Sequence, residues 1–269
     1  MAPPRSYHSE ALILKHSPFG EADLLVTLFT KERGKVRAVA RGARRSSSKL
    51  VGHLEPLTQV SLSLAQGRGG LDHVSQAQLM ESFASLKDDL EAITKGFYLA
   101  ELVDGFGSEA NPNQPLYHLA LATLKAIGED PESELPLRFF ELRLLKVSGL
   151  MPELYCCVEC RNDLTPDSHR FSPDVGGALC LECRPAEAHV RPLSLRALKV
   201  LRLLDRSQNN QIPSIQMDDP LALEIRSLLK MSIEYWLDKQ IQSNSFLEQL
   251  HREEKPGVYS LESDGFQLI

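Results

Sequence analysis

The sequence has little that would place the protein in or across a membrane. No stretch of its 269 residues is apolar over the roughly 20 residues that a helix needs to cross a bilayer. The first thirty residues also lack a basic segment followed by a continuous apolar run, so they do not look like a secretory leader. We therefore expect a soluble cytoplasmic protein, and the 42% hydrophobic content is sufficient for a substantial core.

Signatures of catalysis are missing as well. The sequence contains neither a Walker-type phosphate loop nor a Gly-x-Gly-x-x-Gly loop, and its Ser, His and Asp residues have no nucleophile-elbow context. The combination of His-x-Glu with Pro-Cys-x-x-Cys that marks zinc deaminases is absent. We expect no catalytic residues and a protein that is not an enzyme.

Positive charge is scarce overall but concentrated near the amino terminus. The net charge of -6 would by itself argue against a nucleic-acid partner. Residues 1–80, however, hold 11 Lys and Arg against 6 Asp and Glu, a net charge of +5, whereas residues 81–269 hold 19 against 30, a net charge of −11. A basic amino-terminal part on an acidic body indicates a localised site for a polyanion.

The cations are densest between residues 31 and 49, where eight of them stand against one acid, Glu32. Along a strand in this segment Lys35, Arg37 and Arg41 share one face, and the hydroxyl-rich continuation suits a loop that wraps phosphates. The aromatic residues of the region, which could stack on bases, are few, and we expect each of them to pack in the core. They are Tyr7, Phe19 and Phe29.

The pattern of apolar residues predicts two kinds of structure. Five segments of strand length, separated by Gly, Pro and Ser, fill residues 7–80 and favour a small closed barrel, either an OB-fold or an SH3-like barrel. Helical spacing follows, in a stripe formed by Phe83, Leu86, Leu90, Ile93 and Phe97 and in segments from Leu116 to Ile127, Leu135 to Val147, Leu195 to Leu204 and Leu221 to Trp236. We therefore predict a barrel at 1–80, a helical domain in two parts at 81–150 and 190–250, an insertion at 151–189 and a tail at 251–269.

Four of the five cysteines predict a metal site. Cys157 and Cys160 form one Cys-x-x-Cys pair, and Cys180 and Cys183 form a second one after nineteen intervening residues. This spacing is typical of a four-cysteine zinc site, and four thiolates leave no open position for water, so the zinc would be structural.

Three other residues could compete as ligands. Cys156 with Cys160 is also a permissible spacing, although we favour Cys157. His169 and His189 lie near the cysteines in the sequence, and we expect both to be ordinary surface histidines.

The segment from Arg138 to Lys146 predicts a helix with apolar bulk and cations at its margin. Such a surface could receive an acidic peptide with an apolar end. The alternative is a core helix whose long basic side chains only extend along it to the solvent.

Several segments resemble the RecO family of bacterial recombination mediators. The resemblance rests on FGEADLL at 19–25, LFT at 28–30 and ARGARR at 40–45, and on RFFEL at 138–142 with the following Gly149-Leu150 and the cysteine site. FLEQL at 246–250 is similar to the family's closing helix, so nearly the whole chain is covered. Ser243-Asn244-Ser245 departs from the family, in which a basic residue usually precedes the serine, and this argues against a basic site there.

The resemblance implies an α+β protein: an N-terminal five-stranded OB-fold barrel, then a helical domain with an inserted four-cysteine module holding one structural zinc ion. It also implies binding to single- and double-stranded DNA in the nucleoid, strand annealing, and partners that include RecR, RecF and the acidic tail of the single-stranded-DNA-binding protein, so that RecA is loaded on coated DNA. DNA contacts would come from Lys35, Arg37, Arg41, Arg44, Arg45 and Lys49, and contacts with the acidic tail from Arg138, Phe139 and Arg143. The competing interpretation is a zinc-ribbon adaptor whose barrel binds RNA or a ribosomal partner.

Overall fold

The structure, a computed structural model, describes residues 6–46, 48, 50–67, 69–183, 185, 189–207 and 211–237. Lys49, the FLEQL segment at 246–250 and the predicted tail at 251–269 lie outside these ranges. Across the described part of the chain, none of the helices combines the length and the apolar character needed to span a bilayer.

The amino-terminal part is a closed five-stranded barrel. Its strands are β1 (Ser6–Phe19), β2 (Asp23–Thr30), β3 (Gly34–Ala40), β4 (Gln59–Ala65) and β5 (Leu71–Glu81). They follow one another in the order β1-β2-β3-β5-β4, with β1 and β4 closing the barrel and β3 and β5 running parallel. The prediction of a five-stranded barrel is confirmed, and this strand order is that of the OB-fold.

Alternation along β3 decides what the barrel shows to solvent. Val36, Ala38 and Ala40 point into the barrel core, whereas Lys35 and Arg37 lie on the outer side. Neighbouring residues of a strand face opposite sides of the sheet, so small apolar side chains fill the interior while the cations stay outside.

Within the described residues, six helices follow the barrel. They are α1 (Ala84–Lys87), α2 (Leu90–Phe106), α3 (Gln114–Glu129), α4 (Leu135–Val147), α5 (Leu195–Arg206) and α6 (Asp219–Leu237). Local capping explains several starts, since the side chains of Asp89, Asn113 and Ser194 accept hydrogen bonds from backbone N–H groups in the first turns of α2, α3 and α5.

The prediction of one helical stripe from Phe83 to Phe97 is wrong. The chain breaks between α1 and α2, because Asp89 caps a new helix there. The face that packs on the core changes at this break, and Leu90 and Phe97 are consequently 62% and 42% exposed.

The 151–193 region forms a small module against the helices. The described part of this region has three short strands, β6 (His169–Ser172), β7 (Gly177–Leu179) and β8 (Arg191–Leu193), in the order β7-β6-β8. Phe171, Leu179 and Leu193 are buried in the same apolar cluster as the helices, so the module shares their core.

Ionic side chains are buried inside the helical domain. Lys95 on α2 is fully buried, donates to the carbonyl oxygen of Pro131 at 2.6 Å, and pairs with Glu91. On α4, Arg138 lies 2.9 Å from Glu141, which also accepts a 2.8 Å hydrogen bond from the Tyr98 hydroxyl. Each buried charge in this group has an opposite charge beside it, as burial requires.

The barrel is joined to α2 by charge and by close backbone contact. Lys15 on β1 and Lys35 on β3 both pair with Asp104, at 2.6 and 3.3 Å. At Gly34, where φ is +70°, a Cβ atom would lie 2.2 Å from the carbonyl oxygen of Asn111, so only glycine allows the loop after α2 to pack there. These contacts hold the outer side of β3 in a defined position relative to the helices.

Candidate nucleic-acid interface and metal centre

Strand β3 and the loop that follows it carry four exposed arginines. Arg37, Arg41, Arg44 and Arg45 form what we call the arginine patch. Backbone hydrogen bonds hold this loop against the β1–β2 turn: Gly42 N–H donates to an Asp23 carboxylate oxygen at 2.7 Å, and Arg44 N–H donates to the carbonyl of Ala22 at 2.9 Å. Because Asp23 is engaged in this way, its charge helps to fix the loop.

The four guanidinium groups have no carboxylate partner within 4 Å among the residues that the structure describes. An arginine without an intramolecular acid keeps its full charge available for phosphate oxygens, which it can contact in bidentate fashion. The patch can therefore bind a polyanion without first breaking an ion pair.

Lys35 does not belong to this patch. Its ammonium group donates to the carbonyl oxygen of Asp104 at 2.7 Å and pairs with the carboxylate of the same residue. The expectation that Lys35 is a free cation on the barrel surface is corrected, since the helix packed beside β3 supplies an acid that periodicity along the strand does not reveal. Lys49, the sixth predicted DNA contact, lies outside the described residues.

The aromatic residues of the barrel differ in their surroundings. Phe29 is fully buried against the helices, as expected. Tyr7 is half-buried, donates from its hydroxyl to Asp72 at 2.6 Å, and packs against the Arg33 guanidinium 3.7 Å from its ring centroid. Phe19 is 44% exposed at the end of β1, so the expectation of core packing is wrong for this residue. The signal in the sequence was its place beside the Gly20 turn, where a hairpin ends.

The structure brings the four predicted cysteines together. One ligand atom from each of Cys157, Cys160, Cys180 and Cys183 lies within 4.8 Å of all the others, and the sulfurs of Cys160 and Cys180 are 3.9 Å apart. A tetrahedral ion with metal–sulfur bonds of about 2.3 Å keeps its sulfurs about 3.8 Å apart. The cluster thus fits a metal ion of the size and thiolate preference of zinc.

The competing ligands stay out of the cluster. The backbone of Cys156 forms an isolated antiparallel β-bridge with that of Asp163, and its sulfur is not among the four grouped sulfurs. The ring of His169 is buried, with Nε2 2.8 Å from the carbonyl oxygen of Thr165, so the expectation of a surface position is wrong for it. His189 is exposed, as expected, and pairs with Asp174.

Backbone groups favour a thiolate at Cys157. Burial acts to raise the pKa of this thiol, but the backbone N–H groups of Cys180, Cys160 and Glu159 outweigh it and lower the pKa to about 6. A thiolate is the form that binds a metal ion.

The first cysteine pair is held by the core of the helical domain. Cys157 is fully buried in the cluster that contains the helices, and its N–H donates to the carbonyl of Asn162 at 2.8 Å. At Gly177, whose φ is +149°, a Cβ atom would lie 2.4 Å from the Glu153 carbonyl oxygen, so the chain before the first pair packs directly on β7. A metal at this position would tie the module to the helices.

The predicted partner-binding residues on α4 are mostly inaccessible. Arg138 is 4% exposed and Phe139 is 1% exposed, which corrects the expectation that they form a surface pocket. Their helix is packed on both sides by α3 and by α5 and α6, and Arg138 is neutralised by Glu141 and Glu134. Arg143, by contrast, is partly exposed.

A cationic surface that the sequence analysis missed surrounds Arg143. Lys146, one turn further along α4, donates to Asp205 on α5 at 2.6 Å, and Arg143 donates to the backbone carbonyl of Asp205 at 3.3 Å. Beside them Arg206 lies 5.1 Å from the ring centroid of Tyr155. No local pattern could reveal this group, because α4 and α5 are separated in sequence by the whole cysteine module.

Comparison with known proteins agrees with the residue patterns. Residues 1–83 match the family model described as Recombination protein O N terminal, and residues 87–245 match Recombination protein O C terminal. A protein named DNA repair protein RecO from Desulforamulus reducens is 35% identical over 246 residues, which is 91% of this chain and 95% of that protein. Proteins of the same name from a Roseiflexus species and from Syntrophus aciditrophicus are 38% and 34% identical, over 92% of this chain and 87% and 97% of their own lengths. With both family models together covering most of its length, the chain belongs to the recombination protein O (RecO) family.

Proposed function

We propose that this protein acts in DNA repair and recombination as a non-enzymatic mediator. It binds single- and double-stranded DNA, anneals complementary strands, and with RecR helps to load RecA on DNA coated by single-stranded-DNA-binding protein. The observation that carries the proposal is the arginine patch: four exposed arginines without acidic partners among the described residues, on an OB-fold barrel.

The distribution of charge suits annealing without ATP. Two strands repel each other through their phosphates, so a protein that anneals them must screen this repulsion without holding either strand tightly. A patch of four arginines gives modest affinity that falls with salt, by about 0.7 in the logarithmic slope for each phosphate contact on a single strand. The acidic remainder of the chain, with a net charge of −11 over residues 81–269, would keep DNA on the barrel side.

The four cysteines are proposed to hold one structural zinc ion. Four thiolates would leave no coordination position for water, and the cluster is continuous with the apolar core of the helices. The bound ion would cross-link the two cysteine pairs. Because Cys157 is packed in the apolar cluster of the helices, this cross-link would also fix the module against the helical domain.

The acidic tail of the single-stranded-DNA-binding protein is proposed to bind beside Arg143. Arg143 and Arg206 present cations at the surface of α4 and α5, next to Lys146, which pairs with Asp205 at 2.6 Å, and Leu203 of α5 is an exposed apolar side chain. Charge of this kind complements a peptide that is acidic and ends in an apolar residue. RecR and RecF are proposed as further partners because membership of the RecO family implies them.

Annealing of complementary strands coated with single-stranded-DNA-binding protein tests the proposal. The wild type should accelerate annealing, and changing Arg41, Arg44 and Arg45 together to Ala should abolish the acceleration. The matched control changes Lys125, Arg196 and Lys199 to Ala, three exposed cations on the helical domain, and should retain it. A folded, zinc-loaded wild type that does not accelerate annealing would refute the mediator role and favour an RNA-binding or ribosomal adaptor.

A further inference from the structure

We propose that Phe19 stacks on a base of single-stranded DNA bound at the arginine patch. The inference rests on the proposed function and adds to it the side chain that would distinguish an unpaired strand from a duplex. It joins two observations: an exposed aromatic ring outside both apolar clusters of the described residues, and its position beside the turn that contacts the patch.

Phe19 is exposed without a structural reason. It stands at the end of β1 with 44% of its surface open, and it belongs to neither of the two apolar clusters of the described chain. The last five residues of β1, from Lys15 to Phe19, are all exposed. A phenylalanine in such a position contributes less to folding than a buried one, because 44% of its surface remains in water.

The turn beside Phe19 is bound directly to the patch. The Arg44 guanidinium donates to the carbonyl oxygens of Gly20 and Glu21, at 3.5 and 3.3 Å, and its backbone N–H donates to Ala22. The ring and the cations therefore belong to one surface. Proteins that bind single strands combine these two elements, a cationic track for the backbone and an aromatic ring on which a base stacks.

A base fits this position better than a protein partner does. Phe19 lies opposite Asp23 across the β1–β2 hairpin, and among the described residues no other large apolar side chain of β1 or β2 is exposed. The apolar surface is therefore a single side chain and not a contiguous patch of several hundred Å² of the kind that marks a protein interface. A ring face needs only one base, and stacking tolerates any sequence because every base has a π-face. Paired bases in a duplex are already stacked and are not available to it.

Three probes separate stacking from phosphate contact: an oligothymidylate, an oligomer of the same length whose backbone lacks bases, and a duplex. Their affinities are measured by fluorescence anisotropy at one salt concentration with Phe19→Ala. We expect oligothymidylate affinity to fall about tenfold or more, in line with the loss of one stacked base, while affinity for the other two probes stays within twofold. Phe19→Trp should restore oligothymidylate binding.

The control is Phe97→Ala, which removes the same side chain at 42% exposure from α2 and should leave all three affinities unchanged. An unchanged oligothymidylate affinity for Phe19→Ala overturns the inference while the proposed function stands. An equal fall for the oligomer without bases overturns it too, because the ring would then act through the loop and not through a base. If the folded wild type binds none of the probes, the proposed function fails and the inference fails with it.

Discussion

The barrel surface and the interior of the helical domain use the same residue types in opposite ways. On the barrel, Arg37, Arg41, Arg44 and Arg45 are exposed and have no acidic partner among the described residues. In the helical domain Lys95 and Arg138 are buried, and each is neutralised by glutamates. Exposed cations are available to bind a ligand. The buried ion pairs are not, and they hold the helices together instead.

The cation run at 31–49 is itself divided in this manner. Lys31 pairs with Glu10, Arg33 packs on the ring of Tyr7, and Lys35 pairs with Asp104. The arginines from 37 to 45 have no acidic or aromatic partner among the described residues, and the Arg44 guanidinium donates only to the backbone carbonyls of Gly20 and Glu21. Cation density in a sequence therefore marks a region, and the tertiary environment decides which members can bind DNA.

The largest effect is expected where the module joins the helical core. Cys157→Ser should reduce bound zinc below one ion per chain and lower the unfolding free energy by several kcal/mol, since structural zinc contributes about 10–16 kcal/mol of apparent binding free energy in small zinc fingers and the helical core here supplies part of the stability. Metal analysis and thermal melting measure both quantities. Cys156→Ser, one residue away and outside the cluster, should retain zinc and melt like the wild type. Equal melting temperatures of the Cys157 variant and the wild type would show that the cysteine site does not stabilise the fold.

A pair of arginine substitutions tests the comparison most directly. Arg138→Ala leaves Glu141 buried without its 2.9 Å ion-pair partner and should cost about 3–5 kcal/mol in urea unfolding, whereas Arg41→Ala on the exposed loop should change stability by roughly 0.5 kcal/mol or less. Burial raises the pKa of Glu141 although Arg138 opposes it, so in the variant this carboxyl would be more readily protonated. Similar stability losses for the two variants would show that the burial difference has no energetic meaning.

The sequence was informative where the signal is local. Five strands with apolar alternation, the helices with their caps, and the two Cys-x-x-Cys turns all follow from residues close together in the chain, and the structure has them. The break before α2 was also predictable, because Asp89 is a favoured N-cap residue three positions before Ala92, which donates to it.

Contacts between distant segments could not be predicted in the same way. Glu134 and Glu141, four residues before and three after Arg138, hinted at an internal ion pair on α4, but Tyr98 and Arg226 reach them from α2 and α6. The same limit applies to Lys35, whose partner lies 69 residues further along the chain. These long-range acids decided which predicted cations are free.

An effect of intermediate size is expected on the salt dependence of DNA binding. It should distinguish the arginine patch from the exposed cations of the helical domain. Removing Arg41, Arg44 and Arg45 should reduce the slope of log affinity against log salt for single-stranded DNA by about 2, at 0.7 for each lost phosphate contact. The Lys125, Arg196 and Lys199 triple variant removes the same charge from the helical domain and should leave the slope unchanged. Equal slope changes would mean that net charge, and not the arginine patch, governs binding.

The smallest effect is expected at Asp104, where the two regions meet. Burial acts to raise the pKa of this carboxyl, but the hydrogen bonds and charges of Lys15 and Lys35 outweigh it, so the pKa in the folded protein lies below its ordinary value. A lowered pKa means that the pairing stabilises the protein above the unfolded pKa of about 3.9 and that this contribution is lost as pH falls through the folded value.

Asp104→Asn should therefore lower stability at neutral pH by about 1 kcal/mol or less, and the difference from the wild type should shrink below about pH 4. Melting measured from pH 7 to pH 3 checks this, with Glu129→Gln, an exposed surface carboxylate, as the control. Because the substitution also removes the carboxylate charge that pairs with Lys15 and Lys35, single-stranded DNA affinity should rise slightly. A fall in affinity would instead mean that the pairing positions β3 for binding, and that structural and binding cations are not separable at this edge.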